Sequence, residues 1–279
     1  MAIPVKIFDV ISKYERDVLD QYNRYLEYVE SDTARLQRLH ENNRLNPVEV
    51  LEIDRPWWKF WAKTERIELE PKPLSESQYQ KLLRERRHIQ KLQFACEGVL
   101  ETDLPHLAFI RDFAYRVMRT DWNERHFFLY RPVIEWNGAM VELSHVIVGP
   151  THLYIVEWLE GDRSIYHISK EKTWVHQPLK GENTRVVNPL IALTRTEELI
   201  RQVLPHYAGV LQKVVIATNG YFDNVPSVRS TQYIGRNEYT EWMKQVNGRA
   251  PIVKAQQIRD VATVLEVTAK LPFRQFMDQ

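Results

Sequence analysis

The chain has 279 residues, of which 44% are hydrophobic and 27% charged; this much apolar material can form a buried core and argues against a disordered protein. Lysine and arginine number 38 against 37 aspartate and glutamate residues, so binding to nucleic acid or an acidic membrane would depend on a local patch. The single cysteine, Cys96, excludes a disulfide framework and a cysteine-based zinc site, and the sequence lacks the GxGxxG and GxxxxGK[ST] phosphate loops.

The first residues, MAIPVKIFDV, do not have the uninterrupted apolar region of a secretory signal, and no apolar stretch of about 18 residues occurs. We therefore expect a cytoplasmic protein without a transmembrane segment. From Phe8 to Leu39, apolar residues recur at steps of three and four, which predicts a long amphipathic helix over residues 5–44, in a segment 1–45. Its near-heptad, coiled-coil spacing indicates contact with another helix, in this chain, in a second copy or in a protein partner.

Residues 46–75 are rich in proline and charge, which predicts a linker. Within it, Pro56 to Lys63 carries Trp57, Trp58 and Trp61 beside two lysines. These rings can pack in the protein's own core, in a partner groove, at a membrane surface or against nucleobases.

A second helix is predicted from Ser75 to Cys96, and a third from Leu104 to Met118. The first two helices, joined by the linker, would form an N-terminal α-helical hairpin. The second helix carries a basic run that could contact a nucleic-acid backbone or form an ordinary solvated face. The run consists of Lys81, Arg84, Arg86, Arg87 and Lys91.

After Asn123 the pattern changes to short β-branched and aromatic runs separated by turn residues, which predicts successive strands, most simply as an antiparallel meander. Asn137-Gly138 predicts a hairpin turn. A helix opens at Asn188-Pro189, and further strands and helices close the chain. We predict an α/β fold with a mixed β-sheet flanked by helices. The predicted strands are 127–136, 140–148, 153–158, 165–168, 173–176, 211–217 and 231–234, and the later helices are 189–204, 238–246 and 255–271.

Five strings in this region follow one another in a particular order. They are Cys96-Glu97-Gly98-Val99, Leu143-Ser144-His145-Val146-Ile147-Val148-Gly149-Pro150, Tyr154-Ile155-Val156-Glu157-Trp158-Leu159 with Gly161, Trp174, and Asn188-Pro189. In this order they resemble the nuclease-related domain (NERD), a branch of the PD-(D/E)xK superfamily. The resemblance is strongest over residues 93–247 and implies a restriction-endonuclease-like fold for residues 76–279.

In that family two carboxylates hold Mg²⁺ and a lysine beside the second one offsets charge in the phosphoryl transition state. The resemblance assigns Glu97 and Glu157 to active-site positions. Three other positions depart from the pattern: Ser144 replaces a metal-binding aspartate, Leu159 the lysine and Ala192 a glutamine. We therefore expect a pseudoenzyme that binds nucleic acid or a protein partner, with no certain cofactor.

The sequence also leaves two other functions open. An active Mg²⁺-dependent nuclease would use Glu97, Glu142 and Glu157, with Glu142 and Glu157 on the metal, because strand alternation puts Glu142 on the face of Ser144. Its cation would come from elsewhere, and the candidates are Arg163, Lys170 and Lys172. A scaffold acting through the first helix is the third possibility.

Four histidines, His145, His152, His167 and His176, fall within or beside the predicted strands. A metal cluster would need a helical His-x3-His pair or nearby cysteines, and the sequence has neither arrangement here. Ordinary hydrogen-bonded histidines are the favoured interpretation.

Overall fold

A computed structural model describes residues 2–42, 49–52, 66–69, 74–226, 230–248, 252–273 and 275. The chain divides into two compact units, one of residues 1–22 with 91–279 and one of residues 23–90. The strands are β1 (Ile3–Ile7), β2 (Glu49–Glu52), β3 (Arg66–Leu69), β4 (Phe127–Tyr130), β5 (Val133–Trp136), β6 (Ala139–Glu142), β7 (His145–Val148), β8 (His152–Trp158), β9 (Ser164–His167), β10 (Thr173–Gln177), β11 (Thr184–Val187), β12 (Val210–Ile216), β13 (Gly220–Asp223) and β14 (Thr231–Ile234). The helices are α1 (Val18–Glu41), α2 (Glu76–Ala95), α3 (Ala108–Arg111), α4 (Phe113–Asp121), α5 (Pro189–Val203), α6 (Arg236–Gly248) and α7 (Ala255–Glu266), and 3-10 helices span Lys13–Glu15 and Glu101–His106.

The larger unit is built on a mixed sheet whose described strands run in the order β1-β4-β7-β8-β12-β14. Strand β1 is parallel to β4, β7 is antiparallel to both neighbours, and β8, β12 and β14 are parallel. The carboxyl ends of β1, β4, β8, β12 and β14 therefore meet at one edge, together with the start of β7. We call this the carboxyl edge.

A second sheet in the same unit has the order β11-β10-β9-β13, and β5 pairs with β6 as a hairpin. Asn137 and Gly138 both have positive φ, 51° and 76°, which is the conformation that the predicted two-residue hairpin turn requires. Aromatic rings pack against one another in the hydrophobic core, where Trp122 contacts Tyr154 and Trp242 edge to face. The coarse prediction of a mixed α/β fold with an N-terminal helix is confirmed.

The helix predicted over residues 5–44 begins only at Val18. Residues Ile3 to Ile7 are all buried and form β1, because a run of alternating β-branched residues can pair with β4 and bury both faces. Glu15 is a polar residue within the predicted apolar pattern, and in the structure it forms a capping box with Ser12. Sheet pairing thus overrides the helical periodicity at this end.

The smaller unit contains most of α1 and α2, which pack on each other through Leu36, Tyr79 and Leu83. His40 stacks on Tyr79 with ring centroids 4.2 Å apart. Asp32, a polar residue within the predicted apolar pattern of α1, accepts a hydrogen bond from Gln90 Nε2 at 2.6 Å. The apolar stripe of α1 therefore meets a helix of its own chain.

The segment predicted as a linker, 46–75, contains the antiparallel pair β2–β3. The tryptophan segment from Pro56 to Lys63 lies outside the described residues, so the interpretations of Trp57, Trp58 and Trp61 stay predictions. The helix predicted from Leu104 to Met118 is interrupted, because Asp112 leaves the helical conformation and caps α4 by accepting from Tyr115 N at 3.2 Å. Within the described chain, no helix has the length and apolarity needed to cross a bilayer.

Gly149, just after β7, has no room for a side chain. A Cβ there would lie 2.9 Å from His126 Cδ2 and 3.2 Å from His152 O, and the buried His126 ring is held by Asn123 Oδ1, 2.8 Å from Nδ1. We expect Gly149→Ala to lower the free energy of unfolding by about 1–3 kcal/mol, as overpacked core positions do.

Urea unfolding of the Gly149→Ala variant measures this effect. Gly248→Ala is the matched control, because a Cβ at Gly248 meets nothing within 4 Å. Equal losses for the two variants would show that the contact with His126 is not the cause.

Candidate functional site

Glu157 lies near the end of β8 at the carboxyl edge, opposite Val215 of β12. On its other side, His145 of β7 pairs with Val156, and continuing that register puts Ser144 opposite Glu157. Ser144 is fixed there because its backbone N–H donates to Thr196 Oγ1 of α5 at 2.9 Å. Two positions that the resemblance assigns to the active site therefore face each other on neighbouring strands.

The electrostatic surroundings of Glu157 favour its neutral form. Burial raises the pKa of its carboxyl and is the largest influence; the Ser144 hydroxyl and Arg131 lower it, Glu142 raises it, and Arg195 lowers it, with a net upward shift. A carboxyl group held at a raised pKa in partial burial is a feature of functional sites.

Two arginines reach this end of the sheet. Arg131 directly follows β4 with a φ of 42°, and its Nη2 lies 2.8 Å from Glu142 Oε1. Arg195, on α5, donates from Nη2 to the carbonyl oxygen of Glu142 at 3.0 Å. The site thus combines two guanidinium groups, two carboxyl groups and a hydroxyl; we call Arg131, Glu142, Ser144, Glu157 and Arg195 the edge cluster.

Two buried polar atoms have no full hydrogen bond among the described residues: Ser144 Oγ, within the edge cluster, and His145 Nε2, beside it. The Ser144 hydroxyl lies close enough to the Glu157 carboxyl to lower its pKa, at a geometry short of a full bond. His145 Nδ1 lies 3.2 Å from Val156 O, which assigns the ring proton to Nδ1. Burial lowers the pKa of His145 to about 4, and Arg131 adds to this, so the ring is neutral with a lone pair on Nε2.

Glu142 and Glu157, both predicted as site residues, are brought into one electrostatic neighbourhood, whereas Glu97 forms an ion pair with Arg16. Leu159 donates from its backbone N–H to Ile216 O at 2.8 Å, and its side chain supplies no charge. Ala192 lies in α5.

The donor set does not fit Mg²⁺. Glu142 is already paired with Arg131, Ser144 offers only a neutral hydroxyl, and two guanidinium groups would repel a dication. Across the described part of the chain, no group of three or more His, Cys, Asp and Glu side chains is arranged to hold a metal ion.

The cations predicted to approach Glu157, namely Arg163, Lys170 and Lys172, are not the ones that influence its pKa. Arg163 is exposed in the turn before β9, and Lys170 lines a cavity of about 710 Å³ that Arg195 also lines. The arginines that influence the pKa of Glu157 are Arg131 and Arg195. No sequence motif identifies these two arginines. For Arg131, the prediction would require knowing that β4 and β8 end at the same edge.

The basic run of α2 does not form one exposed face. Lys91 is 1% exposed, with Nζ 3.3 Å from both Ala2 O and Glu124 Oε1, so it is buried away from any phosphate backbone. Arg86 Nε lies 3.8 Å from Asp32, and Lys81 Nζ lies 3.9 Å from Glu85. This set therefore gives little support to a nucleic-acid interface.

Three of the histidines make local contacts of ordinary kinds. His152 stacks on Tyr154, and His176 Nδ1 lies 3.0 Å from Thr184 Oγ1. His167 lies between Gln177 and Asp223, which raise its pKa.

In comparisons with protein-family models, curated proteins and solved structures, no match to this chain was found. The resemblance to NERD therefore rests on the five strings of this sequence alone. It stays a prediction.

Proposed function

We propose that this protein is a non-cleaving relative of NERD nucleases, with a restriction-endonuclease-like fold, that binds nucleic acid at the carboxyl edge through Arg131 and Arg195. Support comes from three of the five resembling strings: Ser144 faces Glu157, and Asn188 caps α5, the helix that carries Arg195.

The Arg131–Glu142 ion pair beside Glu157 is the observation that carries the proposal. A guanidinium group stays charged at any physiological pH and matches the geometry of a phosphate with two parallel hydrogen bonds. The Arg131 side chain is 48% exposed, so it can contact a phosphate without leaving the edge cluster.

Loss of hydrolysis follows from the same groups. The Glu142 carboxylate is already paired with Arg131, and Ser144 adds no negative charge to hold a dication. The lysine position is occupied by Leu159. Binding is then the activity that the remaining residues support.

Fluorescence anisotropy with labelled DNA and RNA at low salt tests this function. We expect Arg131→Gln and Arg195→Gln each to weaken binding about tenfold and to reduce the salt dependence by about one released counterion. Arg259→Gln is the matched control, because Arg259 lies on α7 and contacts Gln256 instead of the edge cluster. Equal binding by all four proteins would contradict the proposal.

An active nuclease with a rearranged site is the second candidate, because Glu142 raises the pKa of Glu157 and both carboxyl groups lie at one edge. Incubating the wild-type protein with DNA and RNA in Mg²⁺ or Mn²⁺ separates the two. We expect no cleavage. Cleavage that disappears in Glu157→Gln would establish the enzyme instead.

A further inference from the structure

A cavity of about 490 Å³ opens beside the edge cluster, where the parallel strands β1 and β4 end. Its lining includes Phe8, Leu107, Phe109, Asp112, Tyr130 and Arg131. The volume is within the range of small-molecule sites, and apolar walls with a few polar groups are typical of them. Arg131 belongs both to this cavity and to the edge cluster.

Aromatic rings form one wall of the cavity. Phe8 packs edge to face against Tyr130, with centroids 5.1 Å apart, and against Phe109 at 6.1 Å. Phe109 and Tyr130 are almost fully buried, whereas Phe8 is only partly buried. The ring of Phe8 is thus in contact with two buried rings and also lines the cavity.

The backbone at the mouth is strained at two aligned positions. Phe8 and Arg131 directly follow β1 and β4, and both have positive φ, 48° and 42°. Side chains of this size rarely adopt that conformation, and such strain concentrates at ligand sites.

Two of the polar side chains that line the cavity, Asp112 and Arg131, have opposite charges, and His106 also lines it. Asp112 is exposed; its carboxylate caps α4 and also accepts a hydrogen bond from the Tyr130 hydroxyl, and the remaining lone pairs of its two oxygens can accept from a ligand. Arg131 donates one N–H group to Glu142 and keeps further donors on its half-exposed guanidinium. A ligand that suits both has a flat ring with N–H donors and an anionic group attached.

We propose that this cavity binds an unpaired nucleobase, stacked on Phe8, whose phosphate is held by Arg131. The proposal rests on the nucleic-acid binding proposed above and specifies the form of nucleic acid. A base inside a duplex has both faces stacked and its pairing edge occupied, so only single strands, loops or frayed ends can offer one.

Anisotropy titrations of the full chain with single-stranded oligonucleotides and with a blunt duplex of the same sequence measure the preference. We expect tighter binding of the single strand. Phe8→Leu keeps an apolar side chain but removes the stacking face, so it should weaken single-strand binding about tenfold and leave duplex binding unchanged. Phe8→Tyr should stay within about twofold of wild type.

Tyr221→Leu is the matched control, because Tyr221 is a partly exposed aromatic residue on β13, outside the cavity. Near-UV circular dichroism of each variant verifies that the fold is retained. Ribo- and deoxyribo-oligonucleotides are titrated in parallel, and tighter binding of the single strand in either series supports the proposal.

Titration with nucleoside monophosphates keeps the two proposals distinguishable. Monophosphate binding that Phe8→Leu weakens supports the base cavity even if no oligonucleotide binds, an outcome in which the function proposed above fails. Equal binding of single strand and duplex, unaffected by Phe8→Leu and without monophosphate binding, overturns the cavity while backbone binding stands. No binding of any of these ligands overturns both.

Discussion

Replacing Glu15 by glutamine is expected to lower the free energy of unfolding by about 3–5 kcal/mol, because it leaves a buried ammonium group without its counter-charge. Lys6 is fully buried in β1, and its Nζ donates to Glu15 Oε1 and to Ala269 O. Burial lowers the pKa of Lys6, and Glu15 partly offsets this. Glutamine keeps an oxygen that can accept from Ser12 N, so the capping contact is preserved.

Urea unfolding at pH 7 checks this expectation. Lys270→Met is the matched control, because Lys270 Nζ lies 4.0 Å from the same carboxylate but is half exposed, and exposed pairs contribute about 0–1 kcal/mol. The double variant Lys6→Met with Glu15→Gln should recover most of the loss, since neither charge is then buried. A loss below about 1 kcal/mol in Glu15→Gln would mean that Lys6 does not depend on this partner.

The same ion pair explains where sequence reasoning about the fold succeeds and where it fails. β7, β8 and α5 are predictable because their apolar runs and the Asn188-Pro189 cap express local preferences that tertiary contacts do not oppose. β1 is missed because Lys6 interrupts its apolar run. A lysine in a central position becomes compatible with burial only once Glu15 is folded against it, a contact that no local pattern predicts.

The candidate site likewise contains residues that the sequence can place and residues that it cannot. Glu157 and Ser144 can be placed near each other from the resembling strings, because β7 and β8 are consecutive. Alternation along one predicted strand, 140–148, places Glu142 beside them, whereas the structure divides that strand into β6 and β7 of different sheets. Arg131 and Arg195 cannot be placed from the sequence, because one follows β4 and the other lies on α5. Their approach depends on sheet order and on helix packing, which are properties of the whole unit.

Acidification is expected to destabilise the protein through two buried histidines. Burial lowers the pKa values of His126 and His145 to about 4, against about 6.5 in an unfolded chain. Between pH 6.5 and 4 the unfolded chain binds more protons at these positions, so the free energy of unfolding falls as the pH falls. Each histidine contributes about 1.4 kcal/mol per pH unit, or about 3 kcal/mol over the whole window.

Two carboxyl groups act in the opposite direction, because burial raises the pKa values of Glu157 and Asp260. Above the ordinary carboxyl pKa the folded chain holds protons that the unfolded chain has released, so lowering the pH through this window favours folding. Variants isolate the histidine contribution from this background.

Urea midpoints measured from pH 4.5 to 6.5 on wild type, His126→Gln and His145→Gln give that contribution. Each variant should show a stability slope smaller by about 1.4 kcal/mol per pH unit than wild type. His206→Gln, which removes a histidine from an exposed position, is the matched control. Parallel curves for all four proteins would show that neither buried ring stays neutral on folding. The assignment of a neutral His145 beside Glu157 would then be wrong.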